Sequence, residues 1–173
     1  MLSSIITGLG LLVVFIVIFC TIVAIRKKTS SGIAEHYDER QIIVRGKAFK
    51  LGCTMTIALN MIYGLFFYGP TKAFVAPQLV VIAIAMIGIV AYSVYCIFKD
   101  AYVQVGANIK NFLIIDIIVV LCNAFSAFIN RGQGITYEGF ATSFSLNLLL
   151  AITFGIVLVA LVAKTVMDKK EEC

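Results

Sequence analysis

Apolar runs of bilayer length, with at most two charged residues each, constrain this chain more than any other feature. Residues 5–25 carry no charged side chain. About 20 helical residues, rising 1.5 Å each, cross a hydrocarbon core of roughly 30 Å. Similar runs recur at about 48–68, 77–98, 109–129 and 143–166. The chain is 61% hydrophobic and only 13% charged. Soluble domains are about a quarter charged, so lipid is the solvent this composition fits. The fold expected is an all-α membrane protein, a bundle of about five transmembrane helices forming one domain over residues 1–173. No internal repeat is visible.

A cleaved signal peptide needs a basic start and a small-residue cleavage site. Here the start is MLSS and the first run ends in AIRKK. The first run is therefore expected to stay as a span, with the amino terminus outside.

Residues 26–50 hold seven of the fourteen Lys and Arg residues. They predict a basic cytoplasmic collar over 26–47 that leads into the second span. Asp38, Glu39, Arg40 and Gln41 resemble a helix start. Asp38 can accept from a first-turn amide, and Gln41 can reach back to the cap. Tyr37 and Ile42 sit at hydrophobic-staple positions, and Glu39 suits the helix dipole. Gly69-Pro70 should end the second span, Pro77 should open the third, and Asn108 should cap the fourth. A Gly-rich external loop then follows at 130–142.

Charge counting orients the bundle. With the amino terminus outside, twelve cations fall inside: Arg26, Lys27, Lys28, Arg40, Arg45, Lys47, Lys50, Lys99, Lys110, Lys164, Lys169 and Lys170. Only Lys72 and Arg131 fall outside. The positive-inside rule then puts the carboxyl terminus in the cytoplasm of a cell (inner or plasma) membrane. The collar would also attract anionic lipid headgroups.

Inside the spans, Asp116 is the one formal charge set deep in an apolar run. Burying it uncompensated costs on the order of 2.5–3.5 kcal/mol, so it should face protein or water. Asn123, Ser126 and Asn130 share its side of the fourth helix, within about 80° at 100° per residue. Asn60 in the second span and Asn147 in the fifth are candidate polar partners. This set reads either as hydrogen-bonding glue between helices or as a proton or cation relay. No second acid or base inside the membrane favours the relay. Ser143, Asn147, Ala151 and Gly155 recur every four residues, a small-residue face suited to close packing. Cys20, Cys53 and Cys96 read as small buried hydrophobes. His36 reads as a solvated loop residue, since a lone imidazole makes a poor metal site.

Nothing points to catalysis or a cofactor. There is no P-loop, dinucleotide fingerprint, zinc-protease motif or nucleophile elbow. No metal-ligand spacing appears, and nothing supports nucleic-acid binding. The candidate interaction surface is the collar: Asp38, Glu39, Arg40, Gln41, Arg45, Lys47 and Lys50.

The segment Asp38-Glu39-Arg40-Gln41 followed by Arg45-Gly46-Lys47-Ala48-Phe49-Lys50 resembles a motif of small uncharacterised multi-pass proteins of Gram-positive bacteria. Lys99-Asp100-Ala101-Tyr102 and the Lys-Lys-Glu-Glu tail are similar too. The resemblance implies a bacterial cell membrane and no catalytic activity. The expectation is a non-enzymatic accessory, regulatory or interaction protein, with a membrane or cytoplasmic protein or a second copy as partner. The alternative is a small transporter or channel built on Asp116 and the polar stripe.

Overall fold

The computed structural model describes residues 37–71, 74–105 and 108–171. The expected first span at 5–25, collar residues 26–36, Cys20, His36, Lys72 and Cys173 lie outside the described residues. Within them the chain is almost wholly helical. Helix α1 (Glu39–Ile62) passes through a π-helical turn at Tyr63–Phe67 into α2 (Tyr68–Thr71). Helices α3 (Pro77–Phe98), α4 (Ile109–Ile129) and α5 (Ser143–Glu171) follow. Four stretches are long and apolar enough to cross a membrane: Glu39–Pro70, Pro77–Phe98, Ile109–Ile129 and Ser143–Lys170.

The boundaries follow local chemistry. Pro77 occupies the first turn of α3, where a missing N–H costs nothing. The Asn108 side chain accepts from the Lys110 amide at 2.9 Å and caps α4, as its sequence position predicts. Helix α2 continues one residue past Pro70. Residue i−4 to that proline is Phe66, inside the π turn. The wider turn gives the proline ring room and leaves no regular bond for it to break.

The helix start at Asp38 agrees with the sequence, but its mechanism differs from the expected capping box. Asp38 has extended backbone angles and makes no side-chain cap hydrogen bond. It is exposed, so water can serve the first-turn amides. The Gln41 side chain turns away to another element. Ile42 is 56% exposed, and Tyr37 stacks on Arg45 rather than serving as a staple.

At α3's end the chain closes a Schellman turn. The Ala101 amide bonds the Cys96 carbonyl at 2.8 Å and the Asp100 amide bonds that of Ile97 at 3.3 Å. This motif needs a left-handed residue just past the helix, usually glycine. Asp100 fills that place at φ 55°.

The loop at 130–142 is more ordered than a Gly-rich composition suggests. Strands β1 (Thr136–Tyr137) and β2 (Phe140–Ala141) pair antiparallel around Glu138-Gly139. Both turn residues have positive φ, at 48° and 81°, as a type I′ hairpin requires. Thr142 then starts α5. Its hydroxyl accepts from the Ser145 amide at 3.2 Å, and its amide donates to Ser145 Oγ at 3.0 Å. The same hydroxyl donates to the Gly134 carbonyl at 2.6 Å and ties the loop to the helix start.

Helix α1 packs on α3, α3 on α5, and α5 on α4. Two small cores result. One gathers Ile97, Val157, Ala160 and Leu161. The other gathers Ala48, Cys96 and Ala101 where α1 meets the end of α3. Around them the apolar surface is open: Leu65 is 73% exposed, Phe125 67% and Val159 68%. In water such a surface would be a severe aggregation hazard. Hydrocarbon is its natural surrounding.

The tightest helix contact is not where the sequence suggests. Nothing lies within 4 Å of a Cβ added at Gly155, so the four-residue repeat on α5 makes no close crossing there. The close crossing is α1 on α3. A Cβ on Gly88 would lie 2.8 Å from the Gly52 carbonyl and would collide with Thr56 Oγ1. Cys96 is fully buried, as expected, whereas Cys53, expected to be buried too, is an exposed free thiol, as is Cys122.

Candidate functional site

The start of α1, the turn after α3 and the end of α5 meet at one end of the bundle. Gln41 Nε2 donates to the carbonyls of Asp100 at 2.6 Å and Val103 at 3.2 Å. Its Oε1 is buried without a protein partner. Arg45 Nη1 reaches the Ala101 carbonyl at 3.4 Å, and its guanidinium lies 4.2 Å from the Tyr37 ring centroid. On the far side, Lys164 Nζ bridges Asp100 at 2.9 Å and Asp168 at 2.7 Å. Asp100 is thus held from both sides: its carbonyl by α1, its carboxylate by α5. Glycine would relieve the left-handed backbone but could not reach Lys164.

This arrangement divides the collar into two sets. Gln41 and Arg45 are spent on holding the loop. Asp38, Glu39, Arg40, Lys47 and Lys50 are exposed and make no ion pair among the described residues. Lys99, Lys110, Lys169 and Lys170, at the same end, are exposed as well. At the opposite end Arg131 is the single described cation, lying 4.7 Å from the Phe128 ring centroid. Helix lengths add to this asymmetry. Glu39–Pro70 has 32 residues and Ser143–Lys170 has 28, about 48 and 42 Å at 1.5 Å each. Both exceed a core of roughly 30 Å. In α1 the surplus is the charged stretch before Leu51.

Tyr102, in the turn after α3, packs edge-on against Phe112 with centroids 6.3 Å apart. Burial pushes its phenol above the ordinary value.

Asp116 is 8% exposed and turned into the bundle, and its Oδ2 has no hydrogen-bond partner. The polar stripe does not serve it. Asn123 donates to the Val119 carbonyl at 2.8 Å and Asn130 to that of Ser126 at 2.8 Å. Asn60 donates to Thr56 at 2.9 Å and Asn147 to Ser143 at 2.7 Å. All four amides bond the carbonyl one turn back on their own helix. The expected Asn glue between helices is thus not formed. An i−4 carbonyl is always within reach in a helix, and a distant partner must compete with it.

The sequence missed Asp100, Lys164 and Asp168 as a linked set. The i,i+4 spacing of Lys164 and Asp168 was a local signal for half of it. Asp100 was legible only as a charge in a short loop. Among the described residues, no group of three His, Cys, Asp or Glu side chains is placed to hold a metal. A hollow of about 570 Å³ lies at the hairpin, beside Gln133, Tyr137 and Phe140. No described titratable cluster faces it.

The chain matches no protein-family model, no curated protein and no solved structure.

Proposed function

We propose that this chain is a multi-pass protein of a bacterial cell membrane, with its basic end in the cytoplasm, and that it acts through contacts made by that end. In this reading it is a non-enzymatic accessory or regulatory protein whose partner is a membrane or cytoplasmic protein. In this reading residues 5–25 are the first of five spans, and the amino terminus lies outside.

One observation carries the reading. Arg40, Lys47, Lys50, Lys99, Lys110, Lys169 and Lys170 are exposed at one end, while Gln41, Arg45 and Lys164 hold that end in shape. A linker that served topology alone would need the charges but not the latches.

Reporter fusions at residue 173 and within 131–141 test the orientation. Cytoplasmic activity is expected at the first and external exposure at the second. Affinity capture from native membranes tests the contacts. A stable partner should be retained by the wild type and lost with Arg40→Glu/Lys47→Glu. An external carboxyl terminus, or capture indifferent to these charges, would sink the reading.

A second reading is favoured by the unpartnered, buried Oδ2 of Asp116. A small transporter could use this carboxyl as a proton or cation site. Asp116→Asn separates the two readings, because an amide keeps the shape but cannot cycle a proton. Unchanged stability and biological effect are expected. A folded variant that lost all activity, with proton or cation flux in wild-type liposomes, would promote the transporter reading.

A further inference from the structure

Beside the α1–α3 crossing lies an apolar groove of about 410 Å³. Its walls are Gly52, Cys53 and Thr56 on α1 and Ala85, Gly88 and Tyr92 on α3. The two glycines leave the surface hollow because no side chain covers the crossing. Phe49 and Ile57 bound it along α1.

Cations follow the groove's walls toward the basic end of both helices. On α1, Arg45 lies one turn before Phe49 on the same stripe, and exposed Lys50 flanks it. Lys99, the first residue past α3, follows Tyr92 by seven positions, which puts it within about 20° of Tyr92 around the helix axis at 100° per residue. Lys99 is exposed. The apolar walls begin where the charged stretch of α1 stops, at Leu51. A hollow with hydrocarbon walls and cations at its membrane surface matches one partner: a lipid with apolar chains below an anionic head.

We propose that this groove is a selective site for an anionic phospholipid, with an acyl chain between α1 and α3 and the phosphate between Lys50 and Lys99. The site rests on the membrane reading above and goes beyond general attraction of headgroups to the collar. The small residues admit the chain, and the cations choose the head.

The chain contains no tryptophan, so Phe49→Trp installs a single reporter at a position 68% exposed. The full-length protein is reconstituted in vesicles of phosphatidylcholine containing brominated phosphatidylglycerol or brominated phosphatidylcholine. Relative quenching gives the preference for the anionic lipid. About fivefold is expected for each engaged cation, falling as salt rises. Lys50→Gln with Lys99→Gln should bring the ratio near one without unfolding, since both side chains are exposed. Should Phe49→Trp fail to fold, Ile57→Trp reports on the same groove. Leu121→Trp on α4, 63% exposed, is the control. It should be quenched equally by both lipids. Equal quenching at position 49 overturns the site. Absence of quenching at 49 with normal quenching at 121 means that protein covers the groove, which also overturns it. Absence of quenching at 121 would remove the membrane reading as well.

Discussion

The basic end and the membrane interior use the same kinds of side chain in opposite ways. At the basic end, Gln41 reaches 59 residues along the chain to the Asp100 carbonyl, and Lys164 bridges back to the Asp100 carboxylate. In the interior, the side-chain amides of Asn60, Asn123, Asn130 and Asn147 each donate to the preceding turn of their own helix, and only Asn130, at its helix end, also accepts, from Gln133 three residues on. The difference has a physical cause. A loop carbonyl such as those of residues 99–105 has no helical partner and needs a donor. Helical carbonyls in a span are already satisfied, so an interior amide gains most from sharing the nearest one. Polar groups therefore fix the end, while shape fixes the interior.

The largest effect should come from attacking shape. Gly88→Leu places a side chain against the Gly52 carbonyl and the Thr56 hydroxyl. Overpacking of this kind costs about 1–3 kcal/mol and sometimes more. Thermal unfolding in detergent should show a clear loss, and Gly155→Leu, with open space around it, should show little. Equal losses at the two sites would break the claim that the interior is held by one close crossing.

Next comes the latch. Gln41→Ala removes two bonds to the 99–105 loop. At about 0.5–1.5 kcal/mol each, the sum is roughly 1–3 kcal/mol, and the lower half is expected because one bond is exposed. Proteolysis or hydrogen exchange in residues 99–105 should rise with no change in α4. If exchange rises only within α1, Gln41 serves its own helix and the long-range latch is wrong.

Asp100 sharpens the same point by opposing two small terms. Asp100→Ala loses the Lys164 pair and keeps a left-handed backbone that alanine adopts poorly. Asp100→Gly loses the pair but relieves the backbone. The exposed pair is worth about 0.5 kcal/mol, and the left-handed conformation costs a non-glycine residue roughly 1–2 kcal/mol. Glycine should therefore be as stable as wild type or slightly better, and alanine worse than wild type by about 0.5–1 kcal/mol. Thermal unfolding of the three proteins gives the order directly. A glycine variant clearly below wild type would mean the Lys164 pair matters more than its exposure suggests.

Much of the architecture was legible because bilayer-length apolar runs, Pro77 and Asn108 act locally. The spans at 77–98 and 109–129 end where their helices end. What stayed hidden depends on distance. Gly52 and Gly88 carry no mark distinguishing a crossing from Gly155 or Gly64. Asp116 could be placed facing inward from its cost alone, but its lack of an Asn partner depends on where four amides turn. The hairpin is the nearer case: Tyr-Glu-Gly-Phe holds the two-residue turn, yet strands of two residues each are too short to show an alternating pattern.

The smallest effect compares two helix starts. Thr142 and Asp38 both precede a helix and are both cap-type residues. Thr142 accepts from the Ser145 amide at 3.2 Å and is 7% exposed, whereas Asp38 is exposed and makes no cap bond. Buried, the first-turn amides of α5 have no water to replace a lost acceptor. Exposed, those of α1 do. Thr142→Ala should cost about 1–2 kcal/mol, a full cap. Asp38→Ala should cost only the exposed charge–dipole contribution, about 0.3–0.5 kcal/mol, and less in salt. Amide exchange over residues 39–42 in Asp38→Ala, set beside residues 143–146 in Thr142→Ala, measures both. Strong deprotection in both places would show that Asp38 caps its helix in solution after all, and that sequence pattern outweighs burial at the basic end.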